Sequence, residues 1–451
     1  MKQLAEHQRY AINMMEGNEA LAIFYEAGTG KTAIALTYIR DAVLRGDIHN
    51  ALIICPAPLV DNWKNNIEAM MDFESFTPGQ IRIMKNVIEV VSINSTWKRV
   101  SKTTAHRDGT KTTKRVYKIN PKIDHPWDCV IIDESHCLGD PESVQTKTMI
   151  KFAAYAKRRY IMTGTPDCGA GCPAYRKLYG QIKFLKPDMW DSYAQWRLRY
   201  VRQYNRYNKP IAYDDVGCEE LKRQFGIVAR LRDCFDMPGY TETLMECPLA
   251  EPKVYRDVLE GRTKQYGLFL TTSGVSSGKL LQVVSGHLKT DDGVMKLKTS
   301  KLSMLEAILE GTEDKVVVFC NFIESIEQVA EFLQKSKISF LRYDGSVKEP
   351  LYLKFQEDPS IKVFLAQYAK GGTGADLYAS HTCVYYEPTR IAIHLEQSKA
   401  RIMRKGQTQH CRYIYLVTPG TVEAKTLESV RNGVDVSAER LNEWAAQERM
   451  A

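Results

Sequence analysis

Residues 24–32 read FYEAGTGKT. Gly30, Lys31 and Thr32 match the end of a phosphate-binding loop, whose pattern is Gly, four residues, then Gly-Lys-Ser/Thr. Tyr25 stands where the first glycine belongs. Such a loop needs backbone N–H groups aimed at phosphate oxygens from a helix N-terminus. It also needs a lysine for the β- and γ-phosphates and a hydroxyl for magnesium. Gly28, Thr29, Gly30, Lys31 and Thr32 supply these parts. The context is right: the apolar run ALAIFY (20–25) reads as a buried strand, and the stretch after the loop reads as a helix. There Ala35, Ile39 and Val43 share one face, and Gly46 is a stop signal.

A short motif of this kind needs a second half. VIIDESH (130–136) supplies one, because it ends an apolar strand in Asp133 and Glu134. A magnesium ion beside phosphates wants a carboxylate, and Asp133 suits it. Glu134 is suited to orient and deprotonate an attacking water.

The same alternation runs on. ALIICP (51–56), CVIID (129–133) and RYIMTG (159–164) are further buried-strand candidates. A second set follows residue 300: KVVVFC (315–320), SFLRYDG (339–345), IKVFLA (361–366), TCVYYE (382–387) and RYIYLV (412–417). Strand, loop and helix in alternation predict parallel sheets covered by helices. At 451 residues the chain is too long for one ordinary core, given roughly 150 residues per domain. The expected organisation is a first lobe over 1–235, a linker or brace over 236–300, and a second lobe over 301–451. The final SAERLNEWAAQERM is expected as a helix burying Leu441 and Trp444.

Composition narrows the class. The chain is 44% hydrophobic and 26% charged, which excludes disordered and fibrous proteins. Its net charge of +8 is compatible with a nucleic-acid partner. Eleven cysteines are scattered, several in apolar runs (Cys55, Cys129, Cys320), as expected of buried thiols in a reducing compartment. Cys168 and Cys172 are the closest pair, with no second pair to complete a zinc site. No apolar run approaches the roughly 18 residues of a membrane span, and the N-terminus lacks an apolar signal core. A soluble intracellular protein is expected, cytoplasmic in a bacterium or in a phage-infected host.

With these motifs in place, the chain resembles the superfamily-two helicase-like ATPases, DESH being a DEAH-type box. More narrowly it resembles their Swi/Snf-like branch, in the minimal form found in bacteria and bacteriophages. That branch carries an acidic residue where Glu26 stands and does not require the glycine that Tyr25 replaces. LAEHQRYAI resembles its glutamine motif, which implies that Gln8 reads the adenine edge. ALIICPAPLVDNWKNNIE resembles motif Ia, with Pro56 and Trp63 in family places. MTGTP (162–166) resembles motif III and includes Thr163, and AKGGTGADL resembles motif V through Gly371, Gly372 and Gly374. Ala375 and Asp376 depart from that last pattern. QSKARIMRKGQ matches motif VI in every fixed place: Gln397, Arg401, Arg404, Gly406 and Gln407. Arg401 and Arg404 are three apart, on one face if helical. The resemblance implies two tandem RecA-like lobes with ATP and Mg2+ in the cleft between them. It further implies that Arg401 and Arg404 bring positive charge to the γ-phosphate.

The implied activity is a monomeric, DNA-stimulated ATPase that translocates on double-stranded DNA or remodels protein–DNA or branched DNA structures, with no membrane partner. Rival readings are a strand-separating DNA or RNA helicase, a nucleic-acid scaffold without turnover, and an unrelated small-molecule kinase. Nucleic-acid contacts are expected at Pro56, Trp63, Thr163, Gly371 and Gly372. Two basic stretches add candidates. Residues 98–122 hold nine Lys/Arg and one acid, Asp108, and read as a β-hairpin centred on Asp108-Gly109. This insertion, with Arg115, either touches phosphates or is a solvated protrusion. Residues 196–209 interleave Trp196, Tyr200, Tyr204 and Tyr207 with arginines including Arg206. They either stack on bases or pack aromatics inward with arginines outward.

Overall fold

A computed structural model describes residues 3–69, 77–105, 111–167, 175–204, 208, 210–268, 273–347, 349–371 and 375–450. Gly372, Gly374, Arg206, Tyr207, Asp108, Gly109, Cys168 and Cys172 lie outside the described residues. The chain divides into two compact units, Met1–Asp236 and Met237–Ala451.

In chain order the strands of the first unit are β1 (Ala20–Tyr25), β2 (Ala51–Cys55), β3 (Ile88–Ser92), β4 (Trp97–Ala105), β5 (Lys111–Ile119), β6 (Trp127–Asp133), β7 (Ala156–Met162), β8 (Val201–Tyr204), β9 (Pro210–Tyr213) and β10 (Gly226–Ala229). Six of them form one sheet in the order β10-β1-β7-β6-β2-β3, and every pairing is parallel. The inner strands β1, β2 and β6 are mostly apolar because both faces are covered, while β7 carries Lys157, Arg158 and Arg159 near its start and becomes apolar only over Tyr160–Met162. One face packs on the helices Glu6–Gly17 and Lys31–Leu44 through Ala11, Met15, Ile34 and Ile39. The other packs on the helices Val144–Phe152, Arg176–Leu185 and Tyr193–Tyr200 through Met149, Ile182 and Trp196. The strands β4–β5 and β8–β9 form separate antiparallel hairpins.

The second unit contains β11 (Tyr240–Glu246), β12 (His287–Thr290), β13 (Gly293–Lys296), β14 (Val316–Cys320), β15 (Phe340–Tyr343), β16 (Val363–Gln367), β17 (Thr382–Tyr385) and β18 (Cys411–Val417). Its sheet runs β11-β18-β17-β14-β16-β15, again wholly parallel. Two such parallel-sheet α/β lobes in tandem are the RecA-like architecture. The described residues of 237–300 belong to this second unit: β11 forms a sheet edge, and the helix Ser273–Val284 lies against the C-terminal helix Ala438–Met450. That last helix buries Leu441 and Trp444.

Among the described residues the nine cysteines are free thiols, and seven are buried. No described helix is long and apolar enough to cross a membrane. The aromatic stretch resolves toward packing. Trp196 and Tyr200 are buried against Tyr179, Trp190 and Tyr213, while Arg197 and Arg199 sit over the rings of Tyr204 and Tyr200.

Candidate functional site

The C-terminal ends of β1, β6 and β7 lie level in one sheet, since Met162 is in register with both Ile23 and Asp133. Ligands of open parallel sheets bind at this end of the strands. The loop after β1 turns through Gly28 and Gly30, at φ 87° and 86°. Only glycine enters that region freely, which explains both positions. A Cβ on Gly30 would also collide with the side-chain nitrogen of Gln8. Gly30 caps the helix Lys31–Leu44, so the loop's N–H groups are presented at a helix N-terminus. Lys31 Nζ donates to the carbonyls of Tyr25 (2.8 Å) and Glu26 (3.2 Å), and Thr32 is half-buried in the first turn.

The loop is braced from three sides. Gln8 Nε2 donates to the Thr29 carbonyl at 3.0 Å, and its Oε1 accepts from Ala5 N at 2.9 Å. His7 meets the same Thr29 carbonyl at 2.8 Å. Thr29 Oγ1 donates to the Glu26 carbonyl at 2.7 Å. Glu26 Oε2 accepts from Leu231 N at 2.8 Å, tying the loop to the segment after β10. A Cβ on Gly164 would lie 3.1 Å from Ala27 N, so motif III packs directly on the loop backbone. Tyr25 is buried, and its hydroxyl donates to the His7 carbonyl at 3.1 Å. Burial pushes that phenol up to about 12. The residue in place of the first glycine therefore anchors the Gln8 helix to the strand.

Asp133 closes β6, buried. Its Oδ2 accepts from Trp63 Nε1 at 2.9 Å and its Oδ1 from Glu134 N at 2.9 Å. Burial, then the adjacent Glu134, push its carboxyl up to about 6, against the opposing pull of Lys31 and Trp63. A buried carboxylate held up in this way suits a cation partner, so Asp133 with Thr32 fits a magnesium site. Among the described residues no cluster of His, Cys, Asp and Glu forms a metal cage of its own. Glu134 adopts the left-handed backbone (φ 50°, ψ 49°), unusual for a residue with a Cβ. Its Oε2 lies 3.3 Å from His136 Nδ1, and Thr163 Oγ1 approaches it at 3.5 Å. Burial opposes charge on His136, but hydrogen bonds with Cys137 and Glu134 carry it up to about 10. His136 sits inside the quoted DESH and was passed over in the sequence reading; its signal was the motif's own fourth position.

Three of the expected nucleic-acid residues are buried. Trp63 is buried with its N–H committed to Asp133, so it positions a carboxylate and is closed to stacking. Thr163 is buried between Glu134 and His136, at 3.0 Å from the latter's Nδ1. Gly371 is buried too: a Cβ there would stand 2.6 Å from that of Ala366 and 3.0 Å from the Phe319 ring, so core packing demands the glycine. Pro56 is half-buried after β2, its carbonyl accepting from Leu59 N. Arg115 lies in β5 opposite Ser101, and its side chain is outside the described part.

In the second unit, Arg401 and Arg404 are not on a helix face, because the helix Ala392–Lys399 ends before them. They share a target nonetheless. Both guanidinium groups reach the Ala375 carbonyl, at 3.5 and 3.4 Å, and Arg404 pairs with Asp376. Gln407 holds this turn by donating to the carbonyls of Tyr378, Ser380 and Ile402. Asp376, where the family pattern is left, is thus the arginine's counter-ion.

A profile described as "SNF2-related domain" matches residues 7–253, and one described as "Helicase conserved C-terminal domain" matches residues 300–406. The human DNA annealing helicase and endonuclease ZRANB3 is 24% identical over 434 residues, 92% of this chain and 38% of the relative. The DNA repair and recombination protein RDH54 of Saccharomyces cerevisiae (strain ATCC 204508 / S288c) is 23% identical over 476 residues, 89% of this chain and 47% of the relative. The chain thus spans less than half the length of either. The solved Sulfolobus solfataricus SWI2/SNF2 ATPase core in complex with dsDNA aligns with 99% of this chain and 95% of its own, at 18% identity and a TM-score of 0.41.

Proposed function

The chain belongs to the SNF2-related family, and on that premise we propose that it is a DNA-stimulated ATPase that translocates on, or remodels, double-stranded DNA. One observation carries the reading. The glycine loop with Lys31, the Asp133–Glu134 pair and the Thr163 turn converge at one end of one sheet, close enough for the charge of Lys31 to act on Asp133.

The proposed substrate is ATP. The N–H groups from Gly28 to Lys31 cradle its phosphates, Lys31 binds the β- and γ-phosphates, and Gln8 faces the adenine. Thr32 and Asp133 hold Mg2+, which when bound neutralises charge on the phosphate oxygens. Glu134, fixed by His136 and Thr163, orients the attacking water and takes its proton. Arg401 and Arg404 of the second unit bring positive charge to the γ-phosphate. The relatives' names speak of DNA, which favours DNA over RNA as the partner, and action on DNA and ATP supports a site of action inside the cell.

The test pairs two substrates. Displacement of a third strand from a triplex without opening of a labelled fork supports duplex translocation. ATP-dependent opening of the fork assigns strand separation instead.

A further inference from the structure

The basic insertion takes no part in the nucleotide site. It leaves the sheet after β3, four strands from β1, or roughly 19 Å at about 4.8 Å per strand. Its two strands, β4 and β5, have nine residues each, so the ribbon extends about 30 Å. Its root is tied down. Asn120 N donates to the Thr96 carbonyl at 2.9 Å and its Nδ2 to the Ser95 carbonyl at 2.8 Å. Thr96 is buried, with its hydroxyl on the Ile93 carbonyl, and Trp97 meets Tyr117 edge-on at 5.2 Å. A ribbon rooted in this way holds whatever charge it carries at a set place.

That charge is almost all of one sign and lies on both faces of the ribbon. Lys98 and Lys118 are cross-strand partners, and Arg99 is next to them opposite Tyr117. All three are exposed, and among the described residues none makes an ion pair. Like charges directly opposite one another destabilise a ribbon. Five further Lys/Arg follow along the hairpin's sequence, against the single acid Asp108. At the root, a cavity of about 440 Å3 between β5 and the helix Val144–Phe152 is lined by Lys118, Lys147 and Lys151, with Asp124 beside them.

We propose that the β4–β5 ribbon is a second nucleic-acid site, separate from the motor's own track, which grips the phosphate backbone of a DNA duplex. Phosphates would relieve the Lys98–Lys118 repulsion. A two-stranded ribbon also has a width that the duplex major groove, about 12 Å across, admits. The choice of DNA rests on the function proposed above; the charge and geometry are independent of it.

The test uses the full chain without nucleotide, a labelled 40-base-pair duplex and a salt series. Each lost phosphate contact removes about 0.9 from the slope of log affinity against log salt. K98Q/R99Q/K118Q should flatten the slope by about two to three and weaken duplex binding at low salt, while DNA-free ATPase stays unchanged and the melting temperature holds or rises as the Lys98–Lys118 repulsion is removed. K118Q alone should flatten it by about one. An unchanged slope and affinity overturn the proposal, as does a loss confined to single-stranded DNA or RNA. Because nucleotide is absent, the outcome is independent of whether the motor reading survives.

Discussion

The indole N–H of Trp63 donates to Oδ2 of Asp133 at 2.9 Å, which joins the helix after β2 to the acidic end of β6. The bond aims the carboxylate and favours its charged form. Trp63→Phe keeps the ring and removes the donor. A hydrogen bond to a charged group is worth about 1.5–3 kcal/mol, so ATP turnover should fall by roughly ten-fold or more. The acidic limb of the pH profile should move to higher pH in the same variant.

Asp133 itself ties stability to pH. Its folded value, about 6, lies above the ordinary 3.8, so the folded state binds the extra proton between these values. Stability from this group is therefore present at low pH and is lost as pH rises through about 6. The full cost is about 3 kcal/mol. Asp133→Asn removes it. In magnesium-free buffer the variant's melting temperature should exceed the parent's by a margin that grows from pH 4 to 6 and then levels. ATP turnover should be lost. A margin independent of pH would contradict the assignment.

Glu134 pairs a strained backbone with the general-base position. Glu134→Gln should retain ATP binding and lose about two to four orders of magnitude in turnover. Glu134→Gly should do the same while melting higher, by up to about 1 kcal/mol, because glycine accepts the left-handed backbone. Calorimetry alongside turnover checks both.

Arg404, paired with Asp376, should leave ATP affinity nearly intact when changed to Ala. It should lose about a thousand-fold in DNA-stimulated turnover. An equal loss of nucleotide binding would mean that the guanidinium serves the ground state.

Tyr25→Phe removes the hydroxyl that holds the His7 carbonyl. The expected cost is about 1 kcal/mol of stability, with a weaker Km for ATP because the Gln8 helix is released.

The central parts of both sheets were legible because buried parallel strands need continuous apolar runs; β1, β6, β14 and β18 announce themselves. The edge strands β3, β10 and β11 escaped notice. An edge strand is half-exposed, and the TETLM of β11 carries no such run. The nucleotide loop and DESH were legible because phosphate chemistry fixes residue types at fixed spacing. The burial of Trp63, Thr163 and Gly371 was not legible, since a motif gives position without facing. Asp376 was visible only as a departure from pattern; its pairing with Arg404 needs three dimensions.

The most direct measurement is ATP hydrolysis by the parent and by Lys31→Ala, at one fixed salt concentration, with duplex DNA, single-stranded DNA and RNA in turn. The account predicts strong stimulation of the parent by duplex DNA, less by the other two, and no turnover by Lys31→Ala with any of them. Duplex-stimulated turnover that survives in Lys31→Ala would contradict it.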